Sequence, residues 1–177
     1  MSAVRRVIVG VSGSPGSLQA LRHAAGLARA HEAGLIPVLA WVPPGGDLAD
    51  RNHPSPYLRK VWRDAACHRL WEAIGLALGG IPDDLAFDSD VVRGDPGQVL
   101  TGIACHPDDV LVIGAGRRGR VARALSCHVS RYCVAHAQCP VISVPPPDLA
   151  QMTHGLRGWA FRHRGLNPDD VGLPAAR

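Results

Sequence analysis

The sequence predicts a doubly wound α/β protein, with a five-stranded parallel sheet and helices on both faces in three layers of the Rossmann-like or flavodoxin-like kind. Three observations predict it. Short apolar runs rich in β-branched residues recur five times along 177 residues. Segments with apolar residues spaced three and four apart separate them, and glycine and proline punctuate the joints. Continuous rather than alternating apolar strands belong to parallel sheets buried on both sides, joined by right-handed crossovers.

Val7 to Val11 is the first strand, leading into a helix that carries Leu18, Leu21, Ala25 and Ala28 on one face. Leu35 to Val42 is the second, its start weakened by Gly34 and Pro37. A polar loop rich in proline and glycine is expected from Pro43 to Pro56. A long helix follows, with Leu58, Val61, Trp62, Ala65, Ala66, Leu70, Ala73, Ile74 and Ala77 as its apolar stripe and Gly79-Gly80 as its stop. Ala86 to Val92 is the third strand. Asp95 then caps a short helix bearing Val99, Leu100 and Ile103, with Pro96 at its first position. Asp109 to Ala115 is the fourth strand. His128 to Ala137 is a helix turning Val129, Tyr132, Cys133 and His136 inward, and Pro140 to Val144 closes the pattern.

Composition bounds the rest. With 46% hydrophobic and 19% charged residues the chain is globular rather than disordered. At this length it buries about two thirds of its unfolded surface without a covalent staple. No apolar stretch approaches a membrane span, and Gly10, Gly13 and Pro15 cut short the run after Arg5-Arg6 that would otherwise open an export signal. The expected compartment is the cytoplasm, where five scattered cysteines at 67, 105, 127, 133 and 139 are reduced. The net charge of +4 gathers mainly at Arg117, Arg118, Arg120 and Arg123 with no aromatics interleaved, which suits a phosphate-sized anion better than a nucleic acid.

That cluster follows the fourth strand, in Leu111-Val-Ile-Gly114-Ala-Gly116-Arg-Arg-Gly119-Arg120. Backbone N–H groups freed by glycine, beside guanidinium groups and ahead of a helix, form an anion site. It is not a Walker loop, because Gly-Lys-Ser/Thr is missing. A second glycine loop, Gly10-Val-Ser12-Gly13-Ser14-Pro-Gly16, follows the first strand. Ligands of open α/β sheets bind beyond the carboxyl ends of the strands where strand order reverses, so the two loops are expected as the lips of one nucleotide-sized crevice.

Three motifs together resemble the bacterial universal stress protein family over roughly residues 4 to 145. They are Val7-Ile-Val-Gly-Val-Ser-Gly-Ser-Pro, Val92-Arg-Gly-Asp-Pro, and Asp109-Val-Leu-Val-Ile-Gly continuing through Val129-Ser130 to Cys139-Pro140-Val141. The resemblance implies a five-stranded parallel α/β domain, a homodimer joined through the last strand, and either ATP with its magnesium or no nucleotide at all. The site residues it implies are Gly10, Ser12, Ala40, Ile113, Gly114, Gly116, Arg117, Gly119, Val129 and Ser130. The family's ATP signature is Gly-x2-Gly-x9-Gly-Ser/Thr. An ungapped alignment keeps Gly114 but places Arg117, Cys127 and His128 at the other three positions, whereas a register shifted by two recovers Gly116, Gly119 and Ser130. Ser12 also stands where nucleotide-binding members carry aspartate. The arginines either grip a phosphate or fill its space, and a regulatory module with a decayed ATP site is the alternative function.

Other chemistries fit less well. Cys127 and Cys133 lie six apart, about 240° around a helix, which is poor for zinc, so buried thiols and a packed histidine are expected instead. Cys105-His106 reads as a helix end rather than a dyad. Ser12 and Ser14 miss the hydrolase pattern Gly-x-Ser-x-Gly, and capping by Ser14 or Ser17 is the simpler role. No residue set supplies a general base with a positioned nucleophile, so at most slow ATP hydrolysis is expected. Pro145-Pro146-Pro147 ends the domain at residue 147. Residues 148–177, with Trp159 and Phe161 among Arg157, Arg162 and Arg164, form an accessory extension expected first to pack on the chain's own helices or across a dimer, with a protein partner or a membrane surface ranked below.

Overall fold

A computed structural model of the chain describes residues 3–115 and 122–145. The strands are β1 (Arg6–Gly10), β2 (Gly34–Trp41), β3 (Asp90–Arg93), β4 (Asp109–Gly114) and β5 (Val141–Val144). The helices are α1 (Pro15–His31), α2 (Gly46–Asn52), α3 (Pro56–Leu78), α4 (Pro96–Ile103) and α5 (Ala122–His136). All pairings are parallel and the order is β3-β2-β1-β4-β5, so the chain winds outward from β1 in both directions.

The alternation of side chains along a strand divides the apolar runs between two cores. Val7 and Val9 of β1, Leu35 and Leu39 of β2, and Val110 and Val112 of β4 meet α1 and α3. Ile8, Val38, Leu111 and Ile113 point the other way, onto Leu100 of α4 and Cys133 of α5. Ser14 caps α1 by accepting from the Ser17 N–H at 3.3 Å, and Pro15 opens the helix. Ser55 and Asp95 do the same for α3 and α4, each followed by proline.

Four expectations need correction. The loop expected from Pro43 to Pro56 contains α2, which buried charge holds in place rather than an apolar stripe. Asp50 is buried and receives Arg59 of α3 and Arg93 of β3, each at 2.8 Å, while Leu48 on the same helix is 72% exposed. Hydrophobic periodicity is blind to such an element. Secondly, the stripe of α3 is buried only from Ala66 onward, and Leu58, Val61 and Ala65 are exposed.

Thirdly, β3 begins at Asp90 rather than Ala86, with a lone bridge between Leu35 and Phe87 ahead of it. Pro37 accounts for the gap. Leu35 and Trp41 direct their backbone groups toward β3, so by the two-residue alternation Pro37 does so too, where it has no N–H to donate. The register is unchanged on either side, and the proline removes one rung without shifting the strand. Lastly, α5 starts at Ala122, six residues earlier than expected, and its His136 is exposed. The imidazole stacks on Tyr132 with ring centroids 4.1 Å apart, and its Nδ1 lies 3.0 Å from the Tyr132 carbonyl.

Candidate functional site

A cavity of about 270 Å³ opens at the carboxyl ends of β1, β2 and β4, where the winding reverses. Seven of the residues expected at a site meet there: Gly10 and Ser12 after β1, Ala40 of β2, Ile113 and Gly114 of β4, and Val129 and Ser130 of α5. Gly116, Arg117 and Gly119 lie outside the described residues, with the rest of the segment 116–121.

Val11 and Ser14, in the loop expected as one lip, also line the cavity, and the sequence reading missed Ser17, Val38, Pro96 and Leu100, which complete the lining. A strand position two before Ala40 on the same side identifies Val38. Pro96 and Leu100 could be found only by knowing that α4 crosses the sheet next to β1. The cavity therefore has an apolar floor of valine, alanine, leucine and isoleucine, and a rim of serine hydroxyls.

The serines are tied to the turn that forms the rim. Ser12 Oγ lies 3.0 Å from Ser14 Oγ, and the Ser12 N–H donates to Ser17 Oγ at 3.2 Å. Ser17 in turn donates its hydroxyl to the Ser14 carbonyl at 2.9 Å. Gly13 sits between them at φ +78°, a left-handed conformation that glycine adopts without strain. This turn brings the hydroxyls of Ser12, Ser14 and Ser17 to the crevice, while the Ser17 N–H is satisfied by the Ser14 hydroxyl and the Leu18 N–H by the Ser14 carbonyl.

Gly114 has a reason to be glycine that needs no ligand. A Cβ there would stand 2.8 Å from the carbonyl carbon of Gly16 and 2.9 Å from its oxygen, both main-chain atoms of α1 that cannot swing aside. At Gly10 the nearest atom is a Leu100 methyl at 2.9 Å, the end of a movable side chain. The two glycines thus bring α1 and α4 against the sheet and narrow the floor between them. In the same core Cys133 is fully buried, and burial pushes its thiol up to about 11, which leaves it neutral and apolar in character.

The lining side chains among the described residues are uncharged. A flat apolar-faced ring with polar edges fits such a site, and an anionic group would need charge from elsewhere. The volume lies just below the roughly 300–1,000 Å³ of small-molecule pockets. Among the described residues no helix is long and apolar enough to cross a membrane.

Comparison with known proteins agrees with this architecture. The model of the universal stress protein family matches residues 3–145. A universal stress protein solved in complex with cAMP is 25% identical, covering 82% of this chain and 100% of that one, with a TM-score of 0.52. The universal stress protein UspA from Lactobacillus plantarum is 20% identical over 81% of this chain and 99% of its own, with a TM-score of 0.56. A universal stress protein from Archaeoglobus fulgidus is 19% identical over 79% and 98%, at 0.51. Among curated proteins none matches.

Proposed function

The chain belongs to the universal stress protein family, and from that premise we propose that it is a stress-response protein binding an adenine nucleotide in the crevice between the loops after β1 and β4. The observation that carries this reading is the cavity at the winding reversal, with an apolar floor and a rim of serine hydroxyls. The relative in complex with cAMP supports the ligand class. The base lies on Val38, Ala40 and Leu100, and the sugar faces Ser12 and Ser14. The phosphates extend toward the segment after Ala115, where Arg117, Arg118 and Arg120 supply the charge that the floor lacks. ATP with magnesium is the ligand most in keeping with the family. The protein acts through occupancy rather than turnover, as a homodimer joined by the edge strand β5.

Denaturing freshly purified protein and identifying what it releases by mass spectrometry tests the reading. The test is paired with thermal shifts against ATP, AMP and cAMP, with and without magnesium. Release of an adenine nucleotide, or a rise in melting temperature with one, is expected. No released nucleotide and no shift at millimolar ligand would overturn the proposal and leave a regulatory module with a decayed site. Arg117→Ala separates the two roles of that arginine: weaker binding means it grips phosphate, and tighter binding means it obstructs.

A further inference from the structure

We propose that Cys105 and Cys139 form a thiol pair that hydroperoxides oxidise to an intramolecular disulfide, at the end of the sheet opposite the nucleotide crevice. Cys105 follows the last turn of α4 and is exposed, and Cys139 precedes β5 and is half-buried. The Cys139 thiol donates to the Ala104 carbonyl oxygen at 3.7 Å. That carbonyl is bonded directly to the Cys105 nitrogen, which puts the Cys139 sulfur within about 6.5 Å of the Cys105 Cα. Rotation of two side chains and a small shift of the exposed loop then suffices to bring the sulfurs together.

The surroundings set the pair apart from the other described cysteines. Arg6 hydrogen-bonds Asp109 through Nε at 2.8 Å and its terminal nitrogen at 2.6 Å, and it lies close enough to the Cys105 sulfur for both to hold its charge. Cys139 shares the α4 and α5 side of the sheet with this ion pair, two residues before Val141, the β5 partner of Leu111. Burial foremost, then the charge of Asp109, push the Cys139 thiol up, so it waits protonated while the exposed sulfur meets oxidant. Cys133 is sealed in the core, and Cys67 sits on α3 across the sheet.

In the first step the Cys105 thiolate attacks one oxygen of hydrogen peroxide. The O–O bond breaks, the sulfur becomes a sulfenic acid, and the departing hydroxide takes a proton and leaves as water. The Cys139 sulfur then attacks the sulfenic sulfur, the S–O bond breaks, and the thiol proton leaves with that hydroxide as a second water. Two thiols and one peroxide become one disulfide and two waters. The new bond ties the end of α4, whose Pro96 and Leu100 line the crevice, to the start of the edge strand β5.

The test treats the full chain with equimolar hydrogen peroxide, blocks residual thiols, and digests with trypsin without reduction. The expected product joins the peptide 94–117, which holds Cys105, to the peptide 132–157, which holds Cys133 and Cys139, and fragmentation places the bond at Cys139. The thiol titre under denaturing conditions falls by two per chain, and unreduced gels show no covalent dimer. Cys133→Ala is expected to keep the link. Cys139→Ser should lose it and leave Cys105 as a sulfenic acid trapped by dimedone. A bond to Cys133, a link between two chains, or Cys105 passing to sulfinic acid in the unmodified sequence with Cys139 still free would overturn the proposal.

Discussion

The two ends of the sheet are built from the same strands and treated in opposite ways. At the amino end, Arg6 of β1 and Asp109 of β4 form a bidentate ion pair whose carboxylate side chain is 1% exposed. The Asp109 carboxylate also accepts the His106 N–H at 3.0 Å, and the Arg6 guanidinium donates to the Ile103 carbonyl at 3.3 Å. At the carboxyl end, the same two strands finish in Gly10 and Gly114 and part around a cavity rimmed with serine. One end uses long charged side chains to close the gap between strands and helices. The other uses residues with little or no side chain, so that main chain packs on main chain and the gap stays open. Among the described residues, a buried ion pair closes the amino end, whereas the cavity at the carboxyl end is lined by uncharged side chains.

Five substitutions sharpen or break that contrast. The largest expected effect is at the open end, where Gly114→Ala drives a Cβ into the backbone of Gly16. Overpacking against atoms that cannot yield costs about 3 kcal/mol, read as a lowered denaturation midpoint with loss of ligand-induced stabilisation. A midpoint unchanged from the parent protein would show that α1 can lift off the sheet freely.

At the closed end Arg6→Ala strands the buried Asp109 carboxylate. The expected loss is about 2 kcal/mol, below the range for fully buried pairs because the Arg6 side chain is itself 35% exposed. Its pH dependence has a definite sign. Burial alone would raise the Asp109 pKa, but the hydrogen bonds from Arg6 and the His106 N–H, together with the Arg6 charge, overcome it and hold the group below the usual carboxylate range. A carboxyl with a depressed folded-state pKa contributes stability that is fully present above its unfolded value, about 3.9, and is lost as pH falls through the folded value. Urea midpoints should therefore fall on acidification below about pH 4, and Asp109→Asn should flatten that part of the profile. A parallel decline in both proteins would assign the acid sensitivity to other carboxylates.

Returning to the open end, Ser14→Ala removes the cap of α1 and one hydroxyl of the rim. About 1 kcal/mol of stability should go, and nucleotide affinity should drop further than capping explains. If affinity holds while stability drops, the serine serves the helix alone. The smallest effect is expected for Arg29→Ala, whose partner Asp84 is half-exposed like itself. Surface pairs of this kind contribute little, so its melting temperature should match that of the parent within error.

Most of the fold was legible because the elements that build it bury apolar residues in a period the sequence displays. Val7 to Val11, Ala66 to Ala77 and Asp109 to Gly114 all belong to this kind. The elements misread are those held by something else. Buried ion pairs hold α2, where Asp50 meets Arg59 and Arg93 from two other elements. Beta3 loses a rung to a proline in its neighbour, and the first turns of α3 project an apolar stripe into water although the pattern reads as a buried face. In the site, the residues next to the glycine turns were found, while Leu100 and Pro96 were not. Their place depends on which helix crosses beside β1, and nothing within α4 encodes that.

The sequence by itself determined the alternation of elements, the glycine turn after β1, the caps at Ser14 and Asp95, and the resemblance that the family match bears out. These are local or periodic properties, set within a few residues of chain. Only the tertiary structure decided that Gly114 is glycine because α1 presses on it, that Arg6 meets Asp109 across 103 positions, and that Cys139 faces the end of α4. Each depends on two segments far apart in sequence arriving at one place. A parallel sheet arranges that by strand order, which no single stretch of chain contains.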